Sequence, residues 1–179
     1  AVFTLARFSE AFLVLRVQQG GLPLAWTPLV LVLMNVVFAL GAYPLGKLAD
    51  STRHTTLLAW GLVVLIAADA LLAFSDRGAA AWLGIALWGL HMAMTQGLLA
   101  TMVADTAPAD LRGTAFGMFN LVSGVALLVA SGLAGLLWDR LGASATFGAG
   151  ILFATLALAG VLVQSARHGR APKPPVPQG

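Results

Sequence analysis

Residues 56–74 read TLLAWGLVVLIAADALLAF, a run in which Asp69 is the only ionisable side chain. An α-helix rises about 1.5 Å per residue, so roughly 20 apolar residues cross the hydrocarbon core of a bilayer. This run has the length and the composition of a transmembrane helix. It therefore indicates that the chain folds in lipid rather than in water.

Segments on both sides of that run repeat its character. Four are long and apolar, and a more polar one opens the chain; they cover Leu24–Leu45, Ala80–Ala104, Thr114–Leu137, Ala143–Gln164 and, at the opening, Ala1–Gln19. Short breaks with Gly, Pro, Ser and Asp separate them, which is turn chemistry. The pattern predicts an all-α polytopic membrane helix bundle of about six transmembrane helices in residues 1–165. Residues 166–179 are basic and proline-rich, and we expect a disordered tail there.

The composition supports the same class of fold. Of the 179 residues, 59% are hydrophobic and only 9% are charged, whereas a soluble domain carries roughly a quarter charged residues to wet its surface. The 10 Lys and Arg are spread along the chain, so a nucleic-acid partner is not expected. Cysteine is absent, which excludes disulfides and thiolate chemistry, and no motif indicates a cofactor.

The basic residues also predict the orientation, because cytoplasmic loops of membrane proteins are enriched in Lys and Arg. With helices alternating in direction, the richer side receives Lys47, Arg53, Arg112, Arg167, Arg170 and Lys173. This side, and with it the C-terminus, is expected in the cytoplasm. The chain starts inside a hydrophobic stretch without a Met, and we expect it to be cut from a longer polypeptide.

Arg7 and Glu10 are unusual residues for the opening segment, because ionisable groups at membrane depth are costly and face a bundle interior or a watery cavity. On a helix they are three residues apart, so they share a face and are able to pair. We expect them to line a cavity in which Glu10 carries a proton or contacts a cation. A structural ion pair that locks two helices is the alternative.

Further polar side chains lie within the predicted helices. His91 and Gln96 are near the middle of the fourth helix, where His91 is a candidate for proton relay or substrate contact; a structural hydrogen bond is the alternative. Asn35 and Asn120 are weaker cavity candidates, since interhelical amide hydrogen bonds also serve packing alone. For Asp69 we favour a structural role against a partner helix over a coupling role.

Small residues recur at seven-residue intervals in the fifth predicted helix, at Gly117, Gly124 and Ser131. Such residues let helix backbones approach closely in lipid, where the hydrophobic effect does not drive association. The pattern predicts that this helix packs against its neighbours, without a functional role for the glycines.

The segment after the second helix reads GKLADSTRH over residues 46–54. It resembles the signature loop of the major facilitator superfamily, in which Gly, three residues and Asp precede a basic, glycine-containing run. Gly46 and Asp50 match that pattern, whereas Ser51 stands where a basic residue is usual and Arg53 where Gly is usual. The residues before the fifth helix and the turn at residues 135–142 resemble the same family, in the same order.

This resemblance implies the C-terminal six-helix half of a secondary active transporter. In that family two halves enclose a substrate near the membrane midplane, and the first and fourth helices of each half line the cavity. The implied partners are the lipid bilayer, an N-terminal six-helix half in the same or a separate chain, a small-molecule substrate and protons. Efflux or uptake across a bacterial cytoplasmic (inner) membrane is the implied activity.

The resemblance also implies a conformational switch at the signature loop. A carboxylate at Asp50, docked on the free N–H groups and positive dipole at the start of the fifth helix, would favour the state closed to the cytoplasm. The residues of this implied switch are Gly46, Asp50, Arg53, Arg112 and Gly113.

Two other classes of function compete with transport. An intramembrane serine protease would need a Gly two residues before Ser123 and a His on a later helix, but Leu121 stands there and His168 lies in the predicted tail. The three His are too scattered for a metal site, so we expect no enzyme. A non-transporting membrane scaffold or assembly protein built on such a half is the alternative to a transporter.

Overall fold

The computed structural model describes residue 4, residues 6–74 and residues 79–168, and the regular structure in these residues is helical. A short helix is followed by one turn of 3-10 helix at Leu24–Trp26 and by five long helices. The α-helices are α1 Ala11–Gln19, α2 Pro28–Ser51, α3 His54–Phe74, α4 Ala79–Thr106, α5 Arg112–Leu141 and α6 Ala143–His168.

The five long helices are long and apolar enough to cross a membrane. The prediction of an all-α membrane helix bundle is thereby confirmed. The predicted turn at residues 75–78 and residues 169–179 of the predicted tail lie outside the described residues. Helix α6 continues to His168, so the first three residues of the predicted tail, 166–168, are helical.

The opening segment differs from the continuous helix predicted over Ala1–Gln19, and that prediction is wrong. Residues 7–9 are not helical, and α1 begins only at Ala11. The backbone N–H of Ser9 donates instead to the hydroxyl oxygen of Ser131 on α5, at 3.1 Å, and Phe8 is buried in the core. Contacts with distant parts of the chain therefore replace local helical hydrogen bonds.

Helix α2 is longer than predicted at its C-terminal end. Residues 46–51, predicted as a loop, are its last turns, and only Thr52 and Arg53 connect it to α3. Pro44 lies inside this helix. Proline lacks the N–H that would bond the carbonyl of Leu40, which usually marks a helix end. Membrane helices tolerate such interruptions, because the helix remains the best way to satisfy the other backbone groups.

Helices α3, α4 and α6 form the centre of the fold. In the most apolar 18-residue stretch of each helix, half of the residues of α3 and 44% of those of α4 are buried. The corresponding fractions are 11% for the span containing α2 and 17% for α5. An aromatic cluster joins the centre to the opening segment, because the ring of Phe8 lies 5.4–5.5 Å from those of Phe12, Trp88 and Phe147. Such edge-to-face and tilted ring pairs stabilise the fold by more than the burial of their surface area alone would.

Two side chains hold the C-terminal end of α3. Nε of Arg16 donates to the carbonyl oxygen of Leu72, and Oγ of Ser144 donates to that of Ala73, both at 2.7 Å. The last carbonyls of a helix lack intrahelical partners and carry the negative end of its dipole, so a hydroxyl and a cation suit this position. The start of α6 and the helix α1 are thereby tied to the same end of α3.

Close packing of helix α5 along its small residues was predicted for Gly117 and Gly124, but the structure does not show it. A Cβ added to either would meet nothing within 4 Å. The prediction that α5 is buried against its neighbours is therefore wrong within this chain. Close approach occurs at α4 instead, where a Cβ on Gly89 would lie against the carbonyl oxygen of Met34 on α2 and 3.2 Å from its carbonyl carbon.

We expect Gly89→Ala to lower the free energy of unfolding by about 1–3 kcal/mol, because the new methyl group has no room beside the backbone of α2. Gly97→Ala is the matched control on the same helix, since a Cβ there meets nothing within 4 Å. It should leave stability unchanged or raise it by up to about 1 kcal/mol, the gain in helix propensity. Thermal unfolding in detergent measures both, and equal melting temperatures would contradict the close approach of α2 and α4.

Candidate functional site: a cavity between the opening segment, α4 and α5

One cavity of the described residues has a volume of about 820 Å³. It lies between the opening segment, α4 and α5, and its walls combine charged, polar and apolar side chains. The polar lining residues are Thr4, Arg7, Ser9, Glu10, Gln96, Asn120, Ser123 and Ser131, and the apolar walls include Phe8, Leu99, Phe119, Leu127 and Leu128.

The two predicted charged residues, Arg7 and Glu10, both line this cavity. Neither belongs to a regular helix, so the shared helix face that was the basis of their prediction is wrong. The non-helical backbone at residues 7–9 brings them together instead, and the hydrogen bond between Ser9 and Ser131 fixes that backbone against α5. In the described part of the chain, neither side chain has an ion-pair partner within 4 Å, and both are half-buried.

Gln96 and Asn120 reach the cavity from α4 and α5. Gln96 precedes the end of α4 at Thr106 by ten residues, and Asn120 follows the start of α5 at Arg112 by eight. At about 1.5 Å per residue these positions are roughly 12–15 Å from the helix ends. In a hydrocarbon core about 30 Å thick, this depth is near the midplane.

His91 and Asn35 do not line the cavity, and their prediction as cavity residues is corrected here. His91 is fully buried between α4 and α3, where its Nδ1 donates to the carbonyl oxygen of Gly61 at 2.7 Å. Asn35 is exposed, and its Nδ2 donates to the carbonyl oxygen of Leu31 in its own helix at 2.8 Å. The hydrogen bond to Gly61 fits the structural alternative for His91, whereas its role in proton relay stays a prediction.

The residues of the implied switch lie on the surface near two helix ends. Gly46 and Asp50 are in the last turns of α2, Arg53 precedes α3, and Arg112 and Gly113 begin α5. All five residues are exposed. Within the described residues no hydrogen bond or ion pair joins Asp50 to the start of α5. The docking implied by the resemblance is therefore not formed in this structure.

Sequence reasoning missed two serines of the site. The Oγ of Ser131 accepts the backbone N–H of Ser9, and both residues line the cavity. Ser131 did carry a signal, because it follows Gly124 at the seven-residue interval described above. That interval marks the face of α5 toward the cavity, since Gly124 and Ser131 both line it, rather than a face packed against another helix.

The chemistry of this site is recognition rather than coordination. Among the residues that the structure describes, no group of three His, Cys, Asp or Glu is arranged to hold a metal ion. A cation, a carboxyl group, two amides and several hydroxyls face a space large enough for a small organic molecule, with aromatic and aliphatic walls. Ligand sites typically have this mixture of apolar walls and few polar groups.

Membrane-length helices around such a cavity define a polytopic integral membrane protein with a solute-sized internal site. A sequence model of the Major Facilitator Superfamily matches residues 1–131. The chain therefore belongs to this superfamily, as its resemblance implied. Membership in a family of transporters points to transport rather than to catalysis.

The chain is also similar to an uncharacterized MFS-type transporter of Methanocaldococcus jannaschii, with 32% identity over 144 residues. The match covers 77% of this chain and 36% of that protein. The chain thus spans about a third of the length of the relative that it matches.

A pair of leucine substitutions separates the buried histidine from the cavity. We expect His91→Leu to lower the free energy of unfolding by about 1–3 kcal/mol, because the buried carbonyl of Gly61 loses its donor. Gln96→Leu, on the same helix but lining the cavity, should change stability by less than about 0.5 kcal/mol. Thermal unfolding followed by tryptophan fluorescence compares the two, and a fully stable His91→Leu protein would show that the buried hydrogen bond has no structural role.

Proposed function

We propose that this chain is the C-terminal six-helix half of a secondary active transporter that moves a small solute by alternating access, coupled to protons. The proposal rests on the cavity. Its charged and amide groups converge from the opening segment, α4 and α5 at a depth near the midplane, where a transporter of this family holds its substrate. Arg7 and Glu10 supply opposite charges for a solute or a proton, and Gln96 and Asn120 supply amide hydrogen bonds.

The uneven burial of the helices supports a second half as partner. Helices α2 and α5 have little buried surface in this chain, and they expose several large apolar side chains, among them Leu40, Tyr43 and Leu128. Lipid covers part of this exposed surface. Leu128, however, is also part of the wall of the cavity, which opens between elements of this chain. We infer that an N-terminal half in the same polypeptide or a separate chain covers this side.

The remaining features of the proposal concern location and direction. The basic ends of α2 and α6 and the connection before α5 favour a cytoplasmic C-terminus in the cytoplasmic membrane. Efflux and uptake use the same alternating cycle, so the direction is left to the transport assay.

The assay uses protein made from the complete open reading frame that contains these residues, reconstituted into liposomes loaded with a pH-sensitive dye. Candidate amino acids, sugars, organic acids and hydrophobic amines are added outside, and proton flux and solute counterflow are recorded. A solute that exchanges across the membrane and moves protons supports the proposal. A protein that inserts and folds but exchanges none of these classes would favour the scaffold alternative.

With a solute in hand, we expect Arg7→Gln and Glu10→Gln each to lower the initial transport rate on the order of tenfold. This is the effect of losing one charge-assisted hydrogen bond to the solute or its coupled proton. Arg140→Gln and Asp110→Asn are matched controls, because both residues are exposed and lie outside the cavity. Equal rates in all four variants would remove Arg7 and Glu10 from the site.

The switch predicted at Asp50 is tested by cysteine accessibility, since these 179 residues contain no cysteine. Ser123→Cys places a thiol in the cavity wall. We expect Asp50→Asn to increase its labelling from the cytoplasmic side about two- to fivefold, the shift that a charge at a helix terminus worth about 0.5–1 kcal/mol produces. Asp110→Asn serves as the control, and identical labelling in both backgrounds would rule out the docking of Asp50.

A further inference from the structure

Asp69 is the one acidic side chain that the structure describes as fully buried. It lies inside α3, in the membrane-spanning part of the chain, and neither of its carboxyl oxygens has a hydrogen-bond partner among the described residues. An unpaired carboxylate in such surroundings is strongly disfavoured, and ionisable groups at membrane depth tend to be functional. The cavity described above does not use this residue.

The carboxyl group of Asp69 lies close to Gly150 of α6 and to the ring of Phe8. A Cβ added to Gly150 of α6 would lie 3.1 Å from Cγ of Asp69 and 3.1 Å from Cε1 of Phe8. The carboxyl group and the Phe8 ring thus meet around the same point. Any residue larger than glycine at position 150 would displace one of them.

Phe8 also belongs to the lining of the cavity, together with Arg7 and Ser9. The same residue thus borders the cavity and has its ring beside the carboxyl group of Asp69. It belongs to the non-helical residues 7–9, whose backbone is held by the hydrogen bond from Ser9 to Ser131 and by single local bonds, such as that from the N–H of Arg7 to the carbonyl oxygen of Thr4, rather than by a helical ladder. A small change in this segment moves the ring without unwinding a helix.

A second unpartnered polar atom belongs to an aromatic neighbour of Phe8. The ring of Trp88 is 5.4 Å from that of Phe8, and its Nε1 is buried without an acceptor among the described residues. Asp69 and Trp88 thus both have polar atoms that water could bond if Phe8 moved. Buried water needs two to four such polar partners.

The contacts of the other charged and titratable groups show where these groups lie relative to Asp69. On the opening segment and α1, Arg7 and Glu10 flank Phe8 on the cavity side, and Arg16 bonds the carbonyl of Leu72. On α4, His91 bonds the carbonyl of Gly61, two turns before Asp69. Residues 143–166 of α6 contain no ionisable side chain.

We propose that Asp69 is a proton-binding site that Phe8 separates from the cavity, and that displacement of Phe8 lets the carboxyl group exchange its proton with water in the cavity. Only an O–H bond forms and breaks: the carboxyl group is a neutral acid while Phe8 covers it, and it passes its proton to cavity water when exposed. The link to solute movement rests on the proposed function, but the binding and covering of the proton do not.

Infrared difference spectroscopy tests the site on protein from the complete open reading frame in lipid nanodiscs, without any transport substrate. Wild-type protein should show the carbonyl stretch of a protonated carboxylic acid at neutral pH. Asp69→Asn should remove this band, whereas Glu10→Gln should leave it. Absence of the band in wild type, or its survival in Asp69→Asn, would overturn the proposal.

The covering role of Phe8 is measured by transferring the nanodiscs into D₂O and timing the isotope shift of the same band. Phe8→Ala should speed the exchange on the order of tenfold or more, because water then reaches the carboxyl group. Phe12→Ala is the control, since Phe12 belongs to the same aromatic cluster but does not line the cavity. Equal acceleration in both variants, or none in Phe8→Ala, would show that Phe8 does not cover the site. The exchange itself is measured on protein that keeps the wild-type aspartate.

Discussion

The hydrogen bond from the Ser9 amide to the Ser131 hydroxyl is the contact on which the site depends. Within a bilayer, non-helical backbone is tolerated only where protein or a watery cavity satisfies its polar groups. Residues 7–9 meet this condition because α5 supplies an acceptor from 122 residues further along the chain. The broken backbone in turn aims Arg7 and Glu10 into the cavity and Phe8 into the core. Without this contact, the segment would have to form a continuous helix, and its three side chains would point elsewhere.

The core and the cavity share helix α4, which packs against α3 and also supplies Gln96 and Leu99 to the cavity. The close packing of α3 with α4 and α6 holds the core, with glycines at the points of nearest approach, such as Gly84 against α3 and Gly150 against Asp69. Helix α2 approaches α4 closely at Gly89, whereas α5 is less buried, and both helices expose much of their apolar surface. Well-packed interiors resist small deformations and shift as units. In the proposed transport cycle, we therefore expect α5, which forms one wall of the cavity, to be the helix that moves relative to the core.

The sequence predicted the parts of this fold that depend on local properties. Length and hydropathy alone located all five long helices, because a membrane segment must satisfy its backbone within itself. The break in the opening segment was missed because its hydrogen-bond partner, Ser131, lies far away in the chain. The end of α2 was missed because a membrane-length helix tolerates Pro44 in its interior. The seven-residue spacing of Gly124 and Ser131 was visible, but spacing does not tell whether small residues make room for another helix or for a solute.

The same reasoning explains why the polar residues were only partly predicted. Arg7, Glu10, Gln96 and Asn120 stand out because polar groups in an apolar run need a reason, and the cavity provides one. His91 stands out equally, yet its partner is the carbonyl of Gly61, which no side-chain pattern reveals. Asp69 presents the opposite case, since its carboxyl oxygens have no hydrogen-bond partner in the described residues and it lies beside Phe8, a residue that lines the cavity. A buried carboxyl group that is neither paired nor exposed has a defined protonation state only if its access to protons is controlled. In our proposal, the side chain of Phe8 controls that access.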